Sequence, residues 1–489
     1  MTDVLLGVDV GTSSLKAVAI SPRGELLFEA ARSYPTRSPR PGWAEQEPEE
    51  WWQACREAVQ EVVGKAGAEL LALGFTGQMH SFVLLDEGGR PLRPAITWCD
   101  TRAAGLLEEI QSRLADRGLL ERLGNPVVLG LTLAPLVWLA RHEPLLLERA
   151  RHLLLAKDYL RYRVSGRIAS EPTDASATLL YDFDSDGWFW QVADLFALPR
   201  RLLPPLEPSF ARCGAMLKPE LFGVAGRPIV ACGAGDQQAA AVANGVIEPG
   251  RLQLMVGTGA QVLAPVPGPY PAEAGLHLFR HVGGWIVQGS VQNAGLALGW
   301  ARKALSLTWE DFYRSLEGDE TGHPLFLPYL TGERTPLMDS RARGAWLGLS
   351  HGHGPRDLAR AAVEGVALSI ADALHHLRQL ESVRHDPVVR SGGGVMNNRS
   401  FAQLLSDAAG VPLTVLESGS ASAVGAAILA GVAAGLYEDV KAGAEEAGLS
   451  VKVGFEPNMR RHEQLQERLQ VMRRLYDSEL FALTGALER

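Results

Sequence analysis

Basic excess, paired cysteines and long apolar runs are all scarce in this sequence, and each scarcity sets aside a class of protein. The 489 residues carry 47 Lys and Arg against 56 Asp and Glu, a formal net charge of -9, so a polyanion such as nucleic acid is not expected as the main partner. Only Cys55, Cys99, Cys213 and Cys232 supply thiols. They lie far apart with no CxxC spacing, which argues against a disulfide framework or a zinc site and for a reduced, cytoplasmic setting. The start, MTDVLLGVDVG, has an acid at position 3 and a short apolar run, so no signal peptide is expected. One stretch, residues 418–437, carries no charge, but Ala, Gly and Ser dominate it; a closely packed helix is expected there, and no membrane partner. Familiar motifs are also missing. GxxxxGK[ST], GxGxxG after a strand, HExxH and GxSxG are absent. The His351-x-His353 pair has no companion ligand spacing and reads as a loop.

What is present is enough apolar material, 46% of residues, for two cores in a chain longer than one core normally fills. LLGVDVGTSSLKAVAISPRGELLFEA reads as strand, hairpin, strand, turn and strand. EPEEWWQACREAVQEVVGKAG follows as an amphipathic helix with acids in its first turn and glycine at its end, then LLALGFTGQM as a buried strand. This mixture indicates an α/β fold. Residues 104–160 read as several helices interrupted at Pro126, Pro135 and Pro144. From residue 251 the opening order recurs, with VGTGAQ (256–261) standing where the start has VGTSSL (10–15). Two related halves are therefore expected, residues 1–247 and 248–440, followed by a charged helical tail, 441–489.

Asp9 ends the first strand, and Gly11, Thr12 and Ser13 then offer unencumbered amides and hydroxyls that can wrap phosphate oxygens, with Lys16 returning positive charge. Asp9 can hold Mg²⁺. An ordinary hairpin is the alternative. Three more glycine loops, GAGD (233–236), VGTGAQ and SGGG (391–394), each follow an apolar strand, and as a set they can enclose a nucleotide between domains. Asp236 can take a hydroxyl proton during phosphoryl transfer, or it can simply cap the helix that AAAV begins. In GQMHS, Gln78 and His80 offer hydrogen bonds to a polyol and Met79 an apolar wall; from the residues alone a plain polar loop after a strand is the simpler reading.

These stretches, with ITWCDTR, AKDYL, FLPYLTGERTP, GAWLGLSHGHGPRDLARAAVEG and SGGGVMNN, occur in an order that is similar to the FGGY carbohydrate kinases. The resemblance implies two ribonuclease H-like domains of the actin-like ATPase fold, with ATP and a small-molecule sugar meeting in the cleft between them. It implies Asp236 as catalytic base and Asp9 as the carboxylate for Mg²⁺ and ATP. Gly11, Thr12, Ser13 and Lys16 would form the first phosphate loop, and Gly257, Thr258 and Gly259 the second. Gly393, Gly394 and Asn397 would meet adenosine, and Gln78, Met79, His80 and Gln237 the sugar. A homodimer is left open.

The expected reaction is phosphorylation of a ketopentose, D-xylulose foremost, at its terminal C5 hydroxyl. Ribulose, another ketose and a polyol such as glycerol stay as alternatives, with a non-catalytic actin-like sensor or assembly protein as a different class. Two departures bear on this. Family members acting on ketopentoses commonly carry Asn after the catalytic Asp, whereas Gln237 matches members acting on glycerol; those members in turn carry Arg and Glu in place of Met79-His80. Pro135 stands where Lys is usual, and nothing in the sequence explains it.

Overall fold

The computed structural model describes residues 3–67, 69–269, 275–318, 322–383, 388–417 and 420–478. The first two positions of the uncharged stretch and the end of the expected tail, 479–489, lie outside the described residues.

The opening hairpin pattern folds as read. Asp3–Val10 pairs antiparallel with Ser14–Ile20, which pairs antiparallel with Leu26–Ser33. Asp3–Val10 then accepts Glu69–Gly77 as a parallel neighbour, and its unbroken apolar core suits a strand covered on both faces. Ile229–Ala231 continues the parallel run and Arg212–Ala215 closes the edge antiparallel, while Ala234–Gly235 also pairs with the end of Glu69–Gly77. The second half repeats this. Gly284–Val291, Ala260–Val266, Arg251–Val256, Val388–Gly392, Leu413–Leu416 and Val451–Phe455 follow one another in the same sequence of antiparallel and parallel pairings, with His277–His281 added at the edge. The turns at Gly11 and Gly257 therefore occupy equivalent places in two ribonuclease H-like sheets. The expected α/β fold is present.

Helix Pro48–Ala66 illustrates the local logic. Proline opens it, Glu49 and Glu50 face its positive end, and Gly67 closes it in the left-handed region at φ 55°. Trp51, Ala58, Val59 and Val62 on one stripe are buried against the first sheet.

Two helices of small residues are exchanged between the halves. Ala421–Ala433 comes from the second half in sequence but packs on the first sheet beside Leu5, Val18 and Ala72. Asp236–Ala243 comes from the first half, yet its Ala241 packs with Leu263, Phe279 and Ile286 of the second. Glycine permits this approach: a Cβ on Gly7 would lie 1.7 Å from the Ala423 carbonyl oxygen, one on Gly74 2.0 Å from that of Ala426, and one on Gly425 1.8 Å from that of Ala239. The boundary drawn at residue 247 is thus crossed in space by both helices.

The expected helical tail is corrected. Val451–Phe455 is the edge strand of the second sheet, and Met459–Tyr476 lies on helix Arg399–Ala409, with Arg473 paired to Asp372 on the long helix Pro355–Leu377. Its burying face is only Leu465, Leu469 and Met472, too sparse to stand out among charges. The all-helical reading of residues 104–160 also misses a strand, His152–Leu155, which pairs with Phe82–Leu85 in a separate four-stranded sheet. Four residues give no periodicity, and the partner is distant in sequence. No helix among the described residues is long and apolar enough to cross a membrane.

Gly74→Ala is expected to lower unfolding free energy by about 3 kcal/mol, as for strained core overpacking. Urea denaturation measures it; an unchanged midpoint would contradict the close helix contact.

Candidate active site

Asp9 and Lys16 are ladder partners, so their side chains leave the same face of adjacent strands. Asp9 Oδ1 is buried without a hydrogen-bond partner, and burial pushes the carboxyl up to about 6 against the opposing charge of Lys16. The turn after it is heavily braced. Gly11 N–H donates to Ser14 O at 3.1 Å, Tyr34 hydroxyl donates to Gly11 O at 2.5 Å, and Gln46 Nε2 donates to Thr12 O at 2.6 Å. Trp98 Nε1 donates to Thr12 Oγ1 at 2.9 Å. Gln78 belongs to this bracing: its Nε2 donates to Gln46 Oε1 at 2.9 Å and its Oε1 accepts from Ser81 Oγ at 3.1 Å. Both ends of its buried amide are engaged, which places Gln78 under the turn and not toward a sugar. Tyr34 and Gln46 carry no local signal in the sequence, because each reaches the turn across a long sequence separation; Trp98 lies in ITWCDTR, but nothing local ties it to the turn.

Asp236 is the first residue of its helix, and the cap position belongs to Gly235, with no side-chain cap bond. The Asp236 carboxyl still accepts from the first-turn N–H of Gln237, so bonding the helix start and reaching solvent are combined in one side chain. Asp236 keeps contact with solvent yet is surrounded by protein. Burial, then the charge of Asp9, push its carboxyl up to about 7, while hydrogen bonds from the Gln237 backbone and side chain act in the opposite direction. Met79 is packed against Gly235: a Cβ there would lie 3.1 Å from Met79 Sδ. His80 sits next to it with φ 68°, a left-handed conformation that non-glycine residues hold only under constraint. Its Nδ1 lies 2.7 Å from Ala177 O, so Nδ1 carries the hydrogen and donates. Burial pushes the imidazole down to about 4, with Arg334 reinforcing the shift.

A buried ionic network stands behind Asp236. Gly235 N–H donates to Thr173 Oγ1 at 2.9 Å, and that hydroxyl donates to Glu171 Oε1 at 2.8 Å. Lys157 Nζ lies 2.7 Å from Asp158, 3.2 Å from Glu171 and 3.4 Å from Asp174, and Arg161 lies 3.1 Å from Asp158. Burial opposes charge on Lys157, but the three carboxylates outweigh it and hold its pKa above the ordinary value. Burial also drives Asp174 well up, toward the protonated form, against the pull of Lys157. AKDYL marks Lys157 and Asp158 in the sequence; Glu171 and Asp174 carry no comparable mark.

In the second half, Gly257 N–H donates to Gly259 O at 2.8 Å, and Gly295 N–H donates to Gly257 O at 3.0 Å. A cavity of about 380 Å³ opens beside this turn, lined among others by Gly257, Thr258, Trp309, Tyr313, Gly394 and Asn398. Trp309 and Tyr313 stack with centroids 5.7 Å apart. Gly393 passes over Arg251–Val256 at φ 96°, where a Cβ would lie 2.4 Å from Val256 O. Asn397 is not in the lining; its Oδ1 accepts from Lys452 Nζ at 3.2 Å. Its neighbour Asn398 lines the cavity and caps helix Arg399–Ala409 by accepting from Phe401 N–H at 2.9 Å. The Trp309-Tyr313 pair was not singled out by sequence, since stacking at a spacing of four also marks ordinary helix surface.

Among the described residues no group of three or more His, Cys, Asp and Glu side chains could hold a metal ion. His353 instead ties its own loop, accepting from Ser350 N–H at 3.0 Å. Asp9 fits the cation that accompanies ATP: a single hard carboxylate with an unpartnered oxygen suits Mg²⁺, which takes most ligands from phosphate and water.

Two ribonuclease H-like sheets, joined by exchanged helices and bearing glycine turns at equivalent strand ends, define the actin-like ATPase class. Within it the chain belongs to the FGGY family of carbohydrate kinases: the family's N-terminal domain matches residues 4–243 and its C-terminal domain residues 253–434. It is an ATP-dependent carbohydrate kinase. A xylulose kinase of Escherichia coli (strain K12) is 33% identical over 97% of this chain and 99% of its own length. A glycerol kinase of Thermus brockianus is 33% identical over 88% of this chain and 90% of its own. The crystal structure titled as a "xyloylose kinase" from Brucella ovis superposes with a TM-score of 0.90 at 32% identity, covering 98% of this chain and all of that one.

Lys157→Met is expected to cost about 3–5 kcal/mol of stability, because it leaves buried carboxylates uncompensated. Denaturant unfolding checks this, and a loss below about 1 kcal/mol would contradict the network's role.

Proposed function

We propose that the protein transfers the γ-phosphoryl group of ATP to the terminal C5 hydroxyl of D-xylulose, with Asp236 as general base. The observation that carries this is Asp236 itself: a carboxyl at a helix start, in reach of solvent, pushed up to about 7 beside Asp9. A base poised near neutrality accepts a proton efficiently while still being ionised often enough to act. As the C5 oxygen forms its bond to the γ-phosphorus, its proton passes to Asp236, the bond to the bridging oxygen breaks, and ADP departs. Amides of Thr12 and Ser13 with Lys16 on one side, and of Thr258 and Gly259 on the other, offset charge on the phosphates, in turns that the Gly11 and Gly257 N–H groups brace from within. Mg²⁺, held at Asp9, supplies further charge neutralisation when bound. Gly393 and Gly394 let the nucleotide approach the second sheet, and Trp309 gives the adenine an aromatic wall.

The ketopentose assignment is supported by similarity to xylulose kinases across the chain and by the Met79-His80 pair beside Asp236. Gln237 weighs less toward glycerol than its identity suggests. Its side chain hydrogen-bonds the Asp236 carboxyl, so it acts on the base before it can select a hydroxyl. We place the activity in the cytoplasm, where the four free cysteines stay reduced.

Asp236→Asn is expected to lower kcat by about 10²–10⁴-fold with ATP affinity unchanged, measured by sugar-dependent ADP release; near-full turnover would refute the base. Because the base must be ionised, kcat/KM for wild type should rise about tenfold per pH unit below about 7 and level above it. A flat profile across that range would contradict the assignment. Trp309→Ala should raise KM for ATP about tenfold, the loss of roughly 1.4 kcal/mol of stacking, with kcat little changed.

A further inference from the structure

A second, smaller cavity of about 60 Å³ lies between the halves, with His80 and Trp98 on one side and His277, Gln288, Ser290 and Arg334 on the other. It holds about four water-sized groups, the end of a small molecule and not the whole of one. Its walls are chemically specific. His80 spends Nδ1–H on Ala177 O, which leaves Nε2 as a bare acceptor. His277 does the same: Nδ1 lies 3.2 Å from Asn125 Oδ1, an oxygen that also accepts from Leu278 N–H, so Nδ1 donates and Nε2 is bare. Both imidazoles are held neutral, pushed down to about 4 chiefly by burial. Gln288 is 8% exposed; its Nε2 donates to Gln261 Oε1 at 2.8 Å, and its Oε1 is buried with no partner. Ser290 Oγ donates to the same Gln261 oxygen at 2.7 Å. The donor in the cavity is Arg334. Its neighbour Glu333 is spent on the backbone N–H groups of Gln292 and Arg334 at 2.6 and 2.8 Å, and among the described residues no carboxylate forms an ion pair with the guanidinium.

Three acceptors without a partner and one forked cation, on residues that line the same small cavity, select their ligand. An anion would meet the lone pairs of His80, His277 and Gln288, whereas a hydroxyl donates to them, and a carbonyl oxygen accepts from a guanidinium fork. We infer that this cavity takes the α-hydroxyketone end of the acceptor sugar, with Arg334 donating to the C2 carbonyl and the Gln288 and imidazole acceptors taking the adjacent hydroxyls. His80, on the wall of this cavity, follows Met79, which packs against Gly235, the residue before Asp236. Arg334, His277 and Gln288 belong to the second half, so the carbonyl end of the substrate bridges the two domains. This assignment rests on the ketose-kinase reading above and makes Arg334 a specificity residue.

The test compares D-xylulose with D-arabinitol, which carries the same terminal hydroxyl but no carbonyl, in wild type, Arg334→Met and Gln288→Leu, using ADP release. Wild type should favour the ketose at least tenfold in kcat/KM. Arg334→Met should lower kcat/KM for the ketose tenfold or more, mainly through KM, and that for the alditol less than threefold, with KM for ATP and melting temperature preserved. Equal losses on both acceptors, or none, would overturn the assignment. Should Arg334→Met fail to fold, the same collapse of preference is required of Gln288→Leu, and its absence overturns the assignment equally. Wild type that releases ADP with other acceptors but not with D-xylulose refutes the substrate reading itself, and no sugar-dependent release at all refutes the kinase assignment to this cleft.

Discussion

The site depends on one steric constraint, the seating of helix Ala421–Ala433 directly on the backbone of the first sheet. Gly7 lies two residues before Asp9, Gly74 lies in the strand that leads to Gln78 and Met79, and Gly425 meets the carbonyl of Ala239 in the helix that Asp236 begins. One helix therefore fixes the strand end that carries Asp9, the strand end that precedes the Met79-His80 pair, and the helix start that carries Asp236. Interiors packed at this density transmit displacement readily, so a side chain added at any of these glycines acts on the geometry of the cleft as well as on stability.

Within that frame the electrostatics are deliberately unfavourable. Asp9 and Asp236 repel one another in a partly desolvated cleft, and both carboxyls are raised. In the proposed reaction the two have separate uses, Asp9 to meet the cation that accompanies ATP and Asp236 to take a proton. The opposing stabilisation lies behind them, where Lys157 and Arg161 are wholly buried against Asp158, Glu171 and Asp174. Through Glu171 and Thr173 this network reaches the N–H of Gly235, one residue before Asp236, the proposed base. It acts on Asp236 by position, while Asp174 in the same network is driven toward its neutral form, chiefly by burial.

Much of this is legible in the sequence because the repeated unit is local. Strand, glycine turn and strand recur with the same spacing, so the two sheets, the turns at Gly11 and Gly257 and the strand-end carboxylates at Asp9 and Asp236 can be read directly. What is not legible is the partner of each polar group. Gln78 looks like a ligand-facing amide until its contacts with Gln46 and Ser81 appear. Asn397 and Asn398 are adjacent and chemically identical, and only the turn geometry decides which one faces the cavity. The small-residue helix announces close packing, but not that its partner is the other half's sheet. Val451–Phe455 is a strand only because an edge awaits it.

The central claim is that this cleft places the γ-phosphorus of ATP on the terminal oxygen of a ketopentose. Phosphorus-31 NMR of the protein with ATP, Mg²⁺ and D-xylulose tests it most directly. The account predicts a single new phosphomonoester whose signal is split by the two protons of a terminal CH₂ group, formed in step with ADP and lost in the Asp236→Asn variant. Release of orthophosphate with no ester, or an ester split by a single CH proton, would contradict it.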